Sequence, residues 1–591
     1  MDDFLAENGP EATLNLIAKA IPAPEKGPTQ AQLMVELAEE AKLFHAPDGD
    51  AYASVQVGKY TETWALRSKG FRKWLGYKFY LTFGKTPGIQ ATQEAIGVLE
   101  GKAQYDSPQE LVFTRVAAFN ARIYHDLANE VREVVEISAD GWRVVQNPPV
   151  HFRRPKGMLG LPHPDAAGSV TLLRDLINVG DDKNWALALT WLVAALRGEG
   201  PYPVLILQGE QGAAKSTTAR FLRRVIDPSK ALVRTPPRND HDLLIAANNS
   251  LVISYDNLSS IPQRLSDALC RLATGGGFSI RELYTDQEEI IFEAMRPVML
   301  NGIDHLPERA DLADRAIILN LPRVENRVEE RVLNRQFETA LPGIMAGLYT
   351  ALGMTLRRLP EIKLVQPPRM ADFAAFGVAA EPGLGLKDGA FLNAYLDNRS
   401  NAVDSTLAND VVAAALRTWA EKLVTPAEWE GECQELLYEL QRKVDEKVLK
   451  SKEWPGSPKG LSNKLRRLVP FLREVGIDVC FPESGKKGTN GKRNLTIRRI
   501  DRQNTAPTSP TATTATQDRQ TEVDGEVTES GGCVRQVAVA PPASAAPPLS
   551  AGVPNLLEAL AEVEDSGEGG SGGGSAQPNS GSISEREAFR I

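Results

Sequence analysis

Cysteine is scarce in this chain, since its 591 residues contain only Cys270, Cys433, Cys480 and Cys533. Neighbouring cysteines lie at least 47 residues apart, so none has the short spacing of a zinc or iron–sulfur site. A chain this long with so few cysteines does not depend on a disulfide framework. The composition therefore excludes small disulfide-rich domains and cysteine-ligated metal domains.

Long hydrophobic runs are also missing. The longest largely apolar run, residues 185–196, has twelve residues, whereas a membrane-spanning helix needs about 20. The first residues, Met1-Asp2-Asp3-Phe4, are acidic and lack the basic and apolar regions of a secretory signal. We therefore expect a cytoplasmic protein with no membrane partner.

Aromatic residues make up only 6% of the chain, but 42% of its residues are hydrophobic and 24% are charged, which is typical of globular domains. The net charge of −9 is unevenly distributed along the chain. Residues 501–591 contain thirteen acidic and five basic side chains, and residues 456–500 contain eleven basic and three acidic ones. This separation of a basic from an acidic segment is informative about partners.

Pattern and composition divide the chain into segments. Alternating short strands and helices predict an α+β N-terminal domain of unknown role over residues 1–170, followed by a helical connector over residues 171–199. Residues 326–386 are predicted to be a helical segment and a linker rich in Pro and Gly. Residues 387–500 are predicted to be a helical region with a basic winged-helix-like module. Residues 501–591, rich in Thr, Pro, Ala and Gly, are predicted to be a disordered, acidic, low-complexity tail.

The predicted N-terminal domain offers no clear chemistry. It contains no paired-carboxylate pattern and no histidine cluster that would build a polymerase or primase site. His125 and His151 are isolated in the sequence. We interpret them as surface histidines or as buried ones with satisfied hydrogen bonds.

Residues 200–325 alternate apolar strands with helical patterns, which predicts an α/β core with a parallel sheet flanked by helices. This core is the part of the chain that carries recognisable motifs. The strand candidates are residues 204–207, 251–255, 298–300 and 316–321, with a weaker one at residues 231–234.

The first of these strands leads into a loop with the spacing of a phosphate-binding P-loop. Such a loop surrounds phosphate oxygens with backbone N–H groups at a helix N-terminus; Lys215 would reach the β/γ-phosphates and Ser216 would ligate Mg²⁺. Ala214 stands where Gly normally precedes the Lys, and we expect the loop to accommodate it in an ordinary helical conformation. The candidate nucleotide-binding residues are Gly209, Glu210, Gln211, Gly212, Ala213, Ala214, Lys215, Ser216 and Thr217.

A second motif supports the first. Residues 251–255 form a buried-strand pattern that ends in Asp256, as in the acidic strand of P-loop ATPases. Asp256 would hold Mg²⁺ together with Ser216, because a hard cation prefers oxygen ligands. The next residue is Asn257, where many P-loop ATPases carry Glu. An amide can position water but cannot take its proton, so we expect hydrolysis to be slow or to use another carboxylate such as Glu210.

The following segments resemble superfamily 3 helicases, particularly the phage and plasmid primase-helicases related to the poxvirus enzyme, which have an AAA+-like ATPase core. The resemblance covers residues 200–325 and rests on residues 271–284 (RLATGGGFSIRELY), 297–303 (PVMLNGI) and 311–315 (DLADR). It implies that Asn301 orients water against the γ-phosphate. It also implies that Arg315 is a finger that reaches the nucleotide of a neighbouring subunit in a hexameric ring.

The same resemblance implies that residues 281–292 form a hairpin pointing into the central channel of the ring. The predicted tip, residues 285–289 (TDQEE), is acidic, whereas a loop that grips a phosphate backbone should carry Lys or Arg. Either the tip packs on protein, or Arg271 and Arg281 near its base contact DNA.

The basic segment before the tail suggests a winged helix. Leucines at three- and four-residue steps from Leu461 to Leu472 predict an amphipathic helix, which Pro470 should kink or interrupt and Gly476 should end. Before it, a capping-box pattern with Pro at residues 425–428 (TPAE) predicts another helix start. A helix in the major groove and a basic wing on the phosphates would use Lys464, Arg467, Lys486, Lys487, Lys492 and Arg493, with Arg466 as a further candidate.

Three functions remain open at this point. The first is an ATP-dependent DNA helicase of a phage or mobile element, acting in replication with ATP and Mg²⁺ on single-stranded or forked DNA, beside a separate primase or polymerase. The second is a nucleotide-gated replication initiator or regulator in which Asn257 keeps turnover slow. The third is an interaction protein with a vestigial P-loop, for which Ala214 and Asn257 are the only support.

Overall fold

The computed structural model describes residues 27–482 and 494–500, together with a few residues between 6 and 19. Within those ranges it does not describe residues 277, 282–288, 293–294, 303–309 and 424–427. The predicted tail, residues 501–591, lies outside the described residues.

The first packing unit is a three-stranded antiparallel sheet covered by helices. Its core is apolar and includes Phe71, Leu75 and Leu99. The first helix begins at a capping box, in which Thr29 and Gln32 satisfy each other's backbone N–H groups. In chain order its elements are α1 Gln30–Leu37, β1 Lys42–His45, β2 Ala51–Val57, β3 Tyr60–Ala65, α2 Lys69–Phe83 and α3 Ile89–Tyr105.

A four-stranded antiparallel meander, β5 to β8, follows. Ser138 pairs with Gly141 across its last turn. Val135 and Ile137 belong to the same hydrophobic core as helices much later in the chain, so residues 1–170 do not share a single core. The elements are β4 Val112–Phe113, β5 Val116–Phe119, β6 Arg122–Asp126, β7 Val134–Ser138, β8 Gly141–Val145 and β9 His151–Phe152, of which β4 and β9 pair in parallel.

A buried ion pair joins this meander to the α/β core. Arg115 Nε donates to Asp227 Oδ1 over 3.1 Å, and the Arg115 side chain is fully buried. The guanidinium also donates to three backbone carbonyls. The other carboxylate oxygen of Asp227 accepts the N–H groups of Leu251 and Val252. Because every charge is paired and hydrogen-bonded, the pair avoids the large penalty of an uncompensated buried ion.

The predicted parallel sheet is present, in the order β11-β14-β10-β15. The weak strand candidate at residues 231–234 is reduced to one bridge between Arg234 and Tyr255. The elements are α4 Asp182–Ala195, β10 Val204–Gln208, α5 Lys215–Ile226, α6 Asp240–Asn248, β11 Ile253–Leu258, α7 Gln263–Thr274, β12 Phe278–Arg281, β13 Glu289–Phe292, β14 Val298–Gly302, α8 Ala310–Ala313 and β15 Ala316–Asn320.

Three helices follow the sheet: α9 Glu330–Arg358, α10 Ala371–Ala380 and α11 Ala390–Asn409. Helix α11 packs on β15, whereas α9 packs on β7 and β8 of the meander. The predicted Pro- and Gly-rich linker is wrong at α10, because this segment forms a buried helix. The reason is packing: a Cβ at Gly377 would lie 2.1 Å from a ring carbon of Phe391, so the glycine lets the two helices approach closely.

Among the described residues, the helical run Glu330–Glu361 alone has the length and apolar composition of a membrane span. Most of its apolar window is buried inside the protein, including Phe337, Ile344 and Tyr349. It therefore packs as a core helix.

The C-terminal module combines helices with a three-stranded antiparallel sheet in the order β16-β18-β17. Its core is separate and includes Trp419, Leu465 and Ile497. The elements are α12 Val411–Ala420, β16 Glu428–Glu432, α13 Cys433–Gln441, α14 Glu446–Leu449, α15 Pro458–Glu474, β17 Ile477–Cys480 and β18 Asn494–Arg499.

Two local signals in this module do not start or end a helix. The capping-box signal does not start a helix, because Glu428 begins β16 and pairs with Arg498, so sheet pairing outweighs the local signal. Pro470 does not interrupt α15, because Leu468 and Phe471 on either side of it stay buried in the module's core. Gly476, at φ +84°, follows the end of α15 as predicted.

Candidate functional site

The loop between β10 and α5 requires glycine at two positions. Gly209 has φ +145°, and a Cβ there would lie 2.5 Å from the carbonyl oxygen of Leu321. Gly212 has φ +92°. Both conformations are strained for residues with a side chain, so the two glycines set the curvature of the loop.

Ala214 adopts a left-handed conformation, with φ +56° and ψ +28°, and the expected ordinary helical conformation is wrong. It is the N-cap of α5, and its carbonyl oxygen accepts from Thr218 N over 2.9 Å. The loop turns into the helix at this residue through a left-handed step, which explains why glycine suits the position. An Ala in this conformation costs about 1–2 kcal/mol.

Lys215 lies at the first position of α5, and its side chain folds back over the loop. Its ammonium group donates to the carbonyl oxygen of Gly209 and, over 2.9 Å, to that of Glu210. The positive charge thus lies within the curve of the loop, whose backbone N–H groups are predicted to surround phosphate oxygens.

Ser216 and Asp256 meet across the site. Ser216 Oγ donates to Asp256 Oδ1 over 3.0 Å, and Asp256 lies near the carboxyl end of β11. Asn257 follows with φ +57°, a conformation that Asn tolerates better than most residues. Its backbone N–H donates to Asn301 Oδ1 over 3.1 Å.

Asn301 lies on β14, the strand between β10 and β11, and is almost fully buried. Its Nδ2 has no hydrogen-bond partner among the described residues. A buried amide donor without a partner is costly, so this group is suited to a ligand oxygen or a water molecule. The sheet order therefore places Asn301 between the loop and Asp256.

Arg315 lies at the edge of the sheet where the parallel strands begin, opposite the edge that carries the loop. It precedes β15, which runs parallel to β10 with Ala316 opposite Val204, whereas the loop follows Gln208. Four residue steps along a strand separate these two edges by about 13 Å. Within its own chain Arg315 pairs with Asp311 over 2.5 Å, and its side chain is about one-fifth exposed.

The sequence did not point to the segment that crosses over the loop. Val324 N donates to the Gly212 carbonyl oxygen over 3.3 Å, and a Cβ at Gly212 would lie 3.0 Å from Nη2 of Arg327. Arg327 is exposed and has no ion-pair partner among the described residues. Arg327 is far from the loop in the sequence, so the sequence alone does not reveal that the two are close in space.

Asn178 is a second residue that the sequence did not reveal. Its Nδ2 donates to the carbonyl oxygens of Ala213, over 3.1 Å, and Pro322, over 2.6 Å. The side chain thereby ties the loop to the crossing segment. No motif marks an isolated asparagine 35 residues before its partner.

Buried polar side chains fix the far end of α5. His125 Nε2 lies 2.9 Å from the Ile226 carbonyl oxygen, and its Nδ1 lies 2.9 Å from the Tyr349 hydroxyl. Burial lowers the pKa of His125 to about 4 and nearby Arg115 adds to the effect, so the ring is neutral at pH 7. His125 is thus a core histidine with satisfied hydrogen bonds, which is the second of the two interpretations drawn from the sequence.

The predicted DNA-contacting residues lie in different surroundings. Lys464 is bound to the Asp410 carboxylate over 3.1 Å and to the Glu453 carbonyl oxygen over 3.2 Å, whereas Arg467 is exposed on α15. Arg281 pairs with Glu289 in the backbone of the hairpin β12–β13, and its side chain lies outside the described structure. Lys486, Lys487, Lys492 and Arg493 also lie outside the described residues.

Comparison with known proteins identifies two consecutive regions of one family. Residues 170–402 match the family described as actinomycete integrative conjugative element (AICE) replication protein RepA. Residues 412–514 match the AICE RepA C-terminal domain. No curated protein matches the chain.

Among solved structures, the A-form apo structure of the NrS-1 C-terminal region is 12% identical, with a TM-score of 0.37; the match covers 80% of this chain and 100% of that one. The SCCmec type IV Cch active helicase is 11% identical, with a TM-score of 0.40, and the match covers 78% and 93%. The two family matches together span more than half of the residues. The chain belongs to the RepA replication proteins of actinomycete integrative conjugative elements.

Proposed function

We propose that this replication protein is an ATP-dependent DNA helicase. The observation that carries the proposal is a pair of contacts at the carboxyl edge of the parallel sheet. Ser216, in the first turn of α5, donates to Asp256 on β11, and Asn301 on β14 accepts from the backbone N–H next to Asp256. Ligands of open α/β sheets bind at this edge, and the phosphate-type loop opens onto it.

The residues at this edge fit ATP with Mg²⁺. A left-handed step at Ala214 leads into the N-terminus of α5, where free backbone N–H groups and the helix dipole favour phosphate. Ser216 and Asp256 supply the hydroxyl and carboxylate oxygens that Mg²⁺ prefers, directly or through water. Bound Mg²⁺ would neutralise charge on the phosphates.

The chain's own residues would orient and polarise the reacting groups. Lys215 would leave the loop carbonyls for the β/γ-phosphates, and the free Nδ2 of Asn301 would donate to the attacking water or a γ-phosphate oxygen. Glu210, exposed on the loop, is the carboxylate that could take the proton of the water, since Asn257 cannot.

Arg327 would add positive charge in the same chain. Its guanidinium lies over Gly212 and is not neutralised by a described acid, so an incoming phosphate could pair with it. We expect Arg327→Ala to raise the Kd for ATP about tenfold, and Arg323→Ala, at a neighbouring exposed position, to leave it nearly unchanged. Equal Kd values in equilibrium titrations would remove Arg327 from the proposed site.

The position of Arg315 supports an oligomer. Because its backbone lies about 13 Å from its own loop edge, we expect it to act on the nucleotide of a neighbouring subunit rather than on its own. A ring of subunits, hexameric by resemblance to superfamily 3 helicases, would bring it there.

The C-terminal module supports DNA binding. Its order of helix, strand, helix, short helix, helix, strand, strand is compatible with the winged helix that we propose, with α15 as the groove-binding candidate. Arg467 and Lys459 are exposed on α15, and Arg466 stacks on Phe481 with 4.1 Å between guanidinium carbon and ring centroid. Lys464 is engaged with Asp410 and would have to leave this partner to reach DNA.

One observation favours a second function, a nucleotide-gated replication initiator. Asn257, an exposed amide, occupies the position next to Asp256 at which a carboxylate usually activates water. In that case ATP binding would change DNA affinity while turnover stays slow.

ATP hydrolysis by the purified protein, measured with and without single-stranded DNA, separates the functions. Hydrolysis stimulated by single strands supports the helicase. Tight ATP binding with negligible turnover supports the initiator. Absence of nucleotide binding at millimolar ATP would contradict both and favour the interaction protein.

A further inference from the structure

Helix α2 presents a surface with basic side chains in its first half and aromatic side chains in its second half. Tyr77 is 62% exposed and Tyr80 is 52% exposed, and Phe83 lies three residues further along. We call this surface the α2 face; its residues are Lys69, Arg72, Lys73, Tyr77, Tyr80 and Phe83.

No residue of the α2 face belongs to the hydrophobic core of its unit, although the ring of Phe83 packs against that of Phe79 with 4.8 Å between centroids. The opposite side of α2 supplies Phe71, Leu75 and Phe79 to the core. Lys78, at the edge of the face, is already paired with Glu40. The other basic residues of the face, Lys69, Arg72 and Lys73, have no ion-pair partner among the described residues.

The charge of this segment has one sign. From residue 63 to residue 93 the sequence contains six Lys or Arg and no Asp or Glu. Such a run indicates an anionic partner. Exposed aromatic rings beside Lys also argue against an ordinary protein interface, because those surfaces are depleted in Lys.

Single-stranded DNA matches both halves of this pattern. Its unpaired bases stack on aromatic rings, and its phosphates pair with Lys and Arg along the same track. Tyr77, Tyr80 and Phe83 follow at three-residue steps, which place neighbouring Cβ atoms about 5–6 Å apart on one side of the helix. Duplex DNA keeps its bases stacked and could not use the rings in this way.

We propose that the α2 face binds single-stranded DNA by base stacking on Tyr77 and Tyr80 and by phosphate contacts of Arg72 and Lys73. The site lies before residue 170 and therefore outside both regions matched to the RepA family. It is also separate from the proposed ATP site, so either can be wrong without the other.

The test measures binding of the full-length protein to a fluorescent dT20 oligonucleotide by anisotropy. Tyr77→Ser/Tyr80→Ser should weaken binding at least tenfold at both 50 and 200 mM salt, because stacking is worth about 1–3 kcal/mol per base. Arg72→Gln/Lys73→Gln should weaken binding mainly at low salt. It should reduce the slope of log affinity against log salt by about 1.4, since each single-strand phosphate contact contributes about 0.7.

Matched controls use the same residue types elsewhere on the surface. Tyr105→Ser removes a tyrosine that is 86% exposed on the neighbouring helix, and Lys363→Gln/Lys387→Gln removes two exposed charges far along the chain. Both controls should bind dT20 within twofold of the unchanged protein. All variants should keep duplex affinity and DNA-independent ATP hydrolysis.

Two results would overturn the proposal. The first is dT20 affinity within twofold of the unchanged protein in both α2-face variants. The second is a smaller oligomer in sedimentation of Tyr77→Ser/Tyr80→Ser with unchanged dT20 affinity, which would make the face a contact between copies of the chain.

Discussion

Ser216 Oγ donates to Asp256 Oδ1 over 3.0 Å, although 40 residues separate them in the chain. The contact exists because β10 and β11 run parallel and end at the same edge, with β14 between them. That strand order also brings Asn301 to the same edge. The loop, the strand that ends in an acid, and Asn301 were recognised separately in the sequence, and the fold brings them together in one cluster.

If Ser216 and Asp256 act on one magnesium ion, their replacements should not have independent effects. We expect Asp256→Asn to lower ATP hydrolysis about a hundredfold, with Ser216→Ala somewhat milder and melting temperatures nearly unchanged. The double variant should be little worse than Asp256→Asn alone, because residues that act as a unit are non-additive. Steady-state rates whose losses multiply in the double variant would show that the two side chains act separately.

Arg315→Ala should bind ATP nearly normally but lose hydrolysis, because a finger from another subunit acts on the transition state. Mixing it with excess Lys215→Ala subunits should restore part of the activity, since each variant lacks a different half of a shared site. Asp311→Asn removes the described partner of Arg315 and serves as a control that should retain most activity. Full ATP hydrolysis in a strictly monomeric preparation would rule out the shared site.

Because Ala214 is left-handed, replacing it with glycine should affect stability differently from replacing a residue inside a helix with glycine. Ala214→Gly should leave the free energy of unfolding unchanged or raise it by up to about 1 kcal/mol, because the strain of the side chain is removed. Gln336→Gly, at an exposed position in the interior of α9, should instead lower it by about 1 kcal/mol. Thermal unfolding of both variants tests this prediction. If Ala214→Gly lowers the free energy of unfolding as much as the helix-interior variant does, the left-handed conformation of Ala214 is contradicted.

The parallel sheet was predictable because each buried strand is a continuous apolar run followed by a polar or glycine-containing segment, as at β10 and β11. The spacing from Gly209 to Ser216 likewise marked the loop. The conformation of Ala214 was not predictable, since residue type alone favours an ordinary helical state and the loop imposes the left-handed one. Arg327 and Asn178 were missed because only tertiary packing brings them to the loop.

Elsewhere the sequence misled where packing outweighed a local signal. The Gly and Pro content around α10 suggested a linker. In the structure Gly377 instead lets α10 pack closely against the ring of Phe391. Glu428 completed a capping pattern, yet its pairing with Arg498 makes it the start of a strand.

His125 predicts a loss of stability in acid. Its pKa is about 4 in the folded protein and ordinarily 6.5, so the unfolded chain binds more protons between these values. The free energy of unfolding should therefore fall as pH drops from about 6.5 to about 4, by about 3 kcal/mol at most. His125→Gln should flatten this part of the profile of melting temperature against pH, whereas His241→Gln, at an exposed position, should not. Parallel profiles for the unchanged protein and His125→Gln would contradict the neutral buried ring.

If the cluster at the loop drives movement on DNA, the protein should separate the strands of a forked duplex. Purified protein is incubated with a forked duplex, Mg²⁺ and ATP, and the released strand is quantified beside Lys215→Ala at equal concentration. We expect strand displacement that requires ATP and is absent in Lys215→Ala, while both proteins have the same melting temperature. Displacement by Lys215→Ala at the rate of the unchanged protein, or ATP hydrolysis that proceeds without any displacement from either fork polarity, would rule out the proposed helicase.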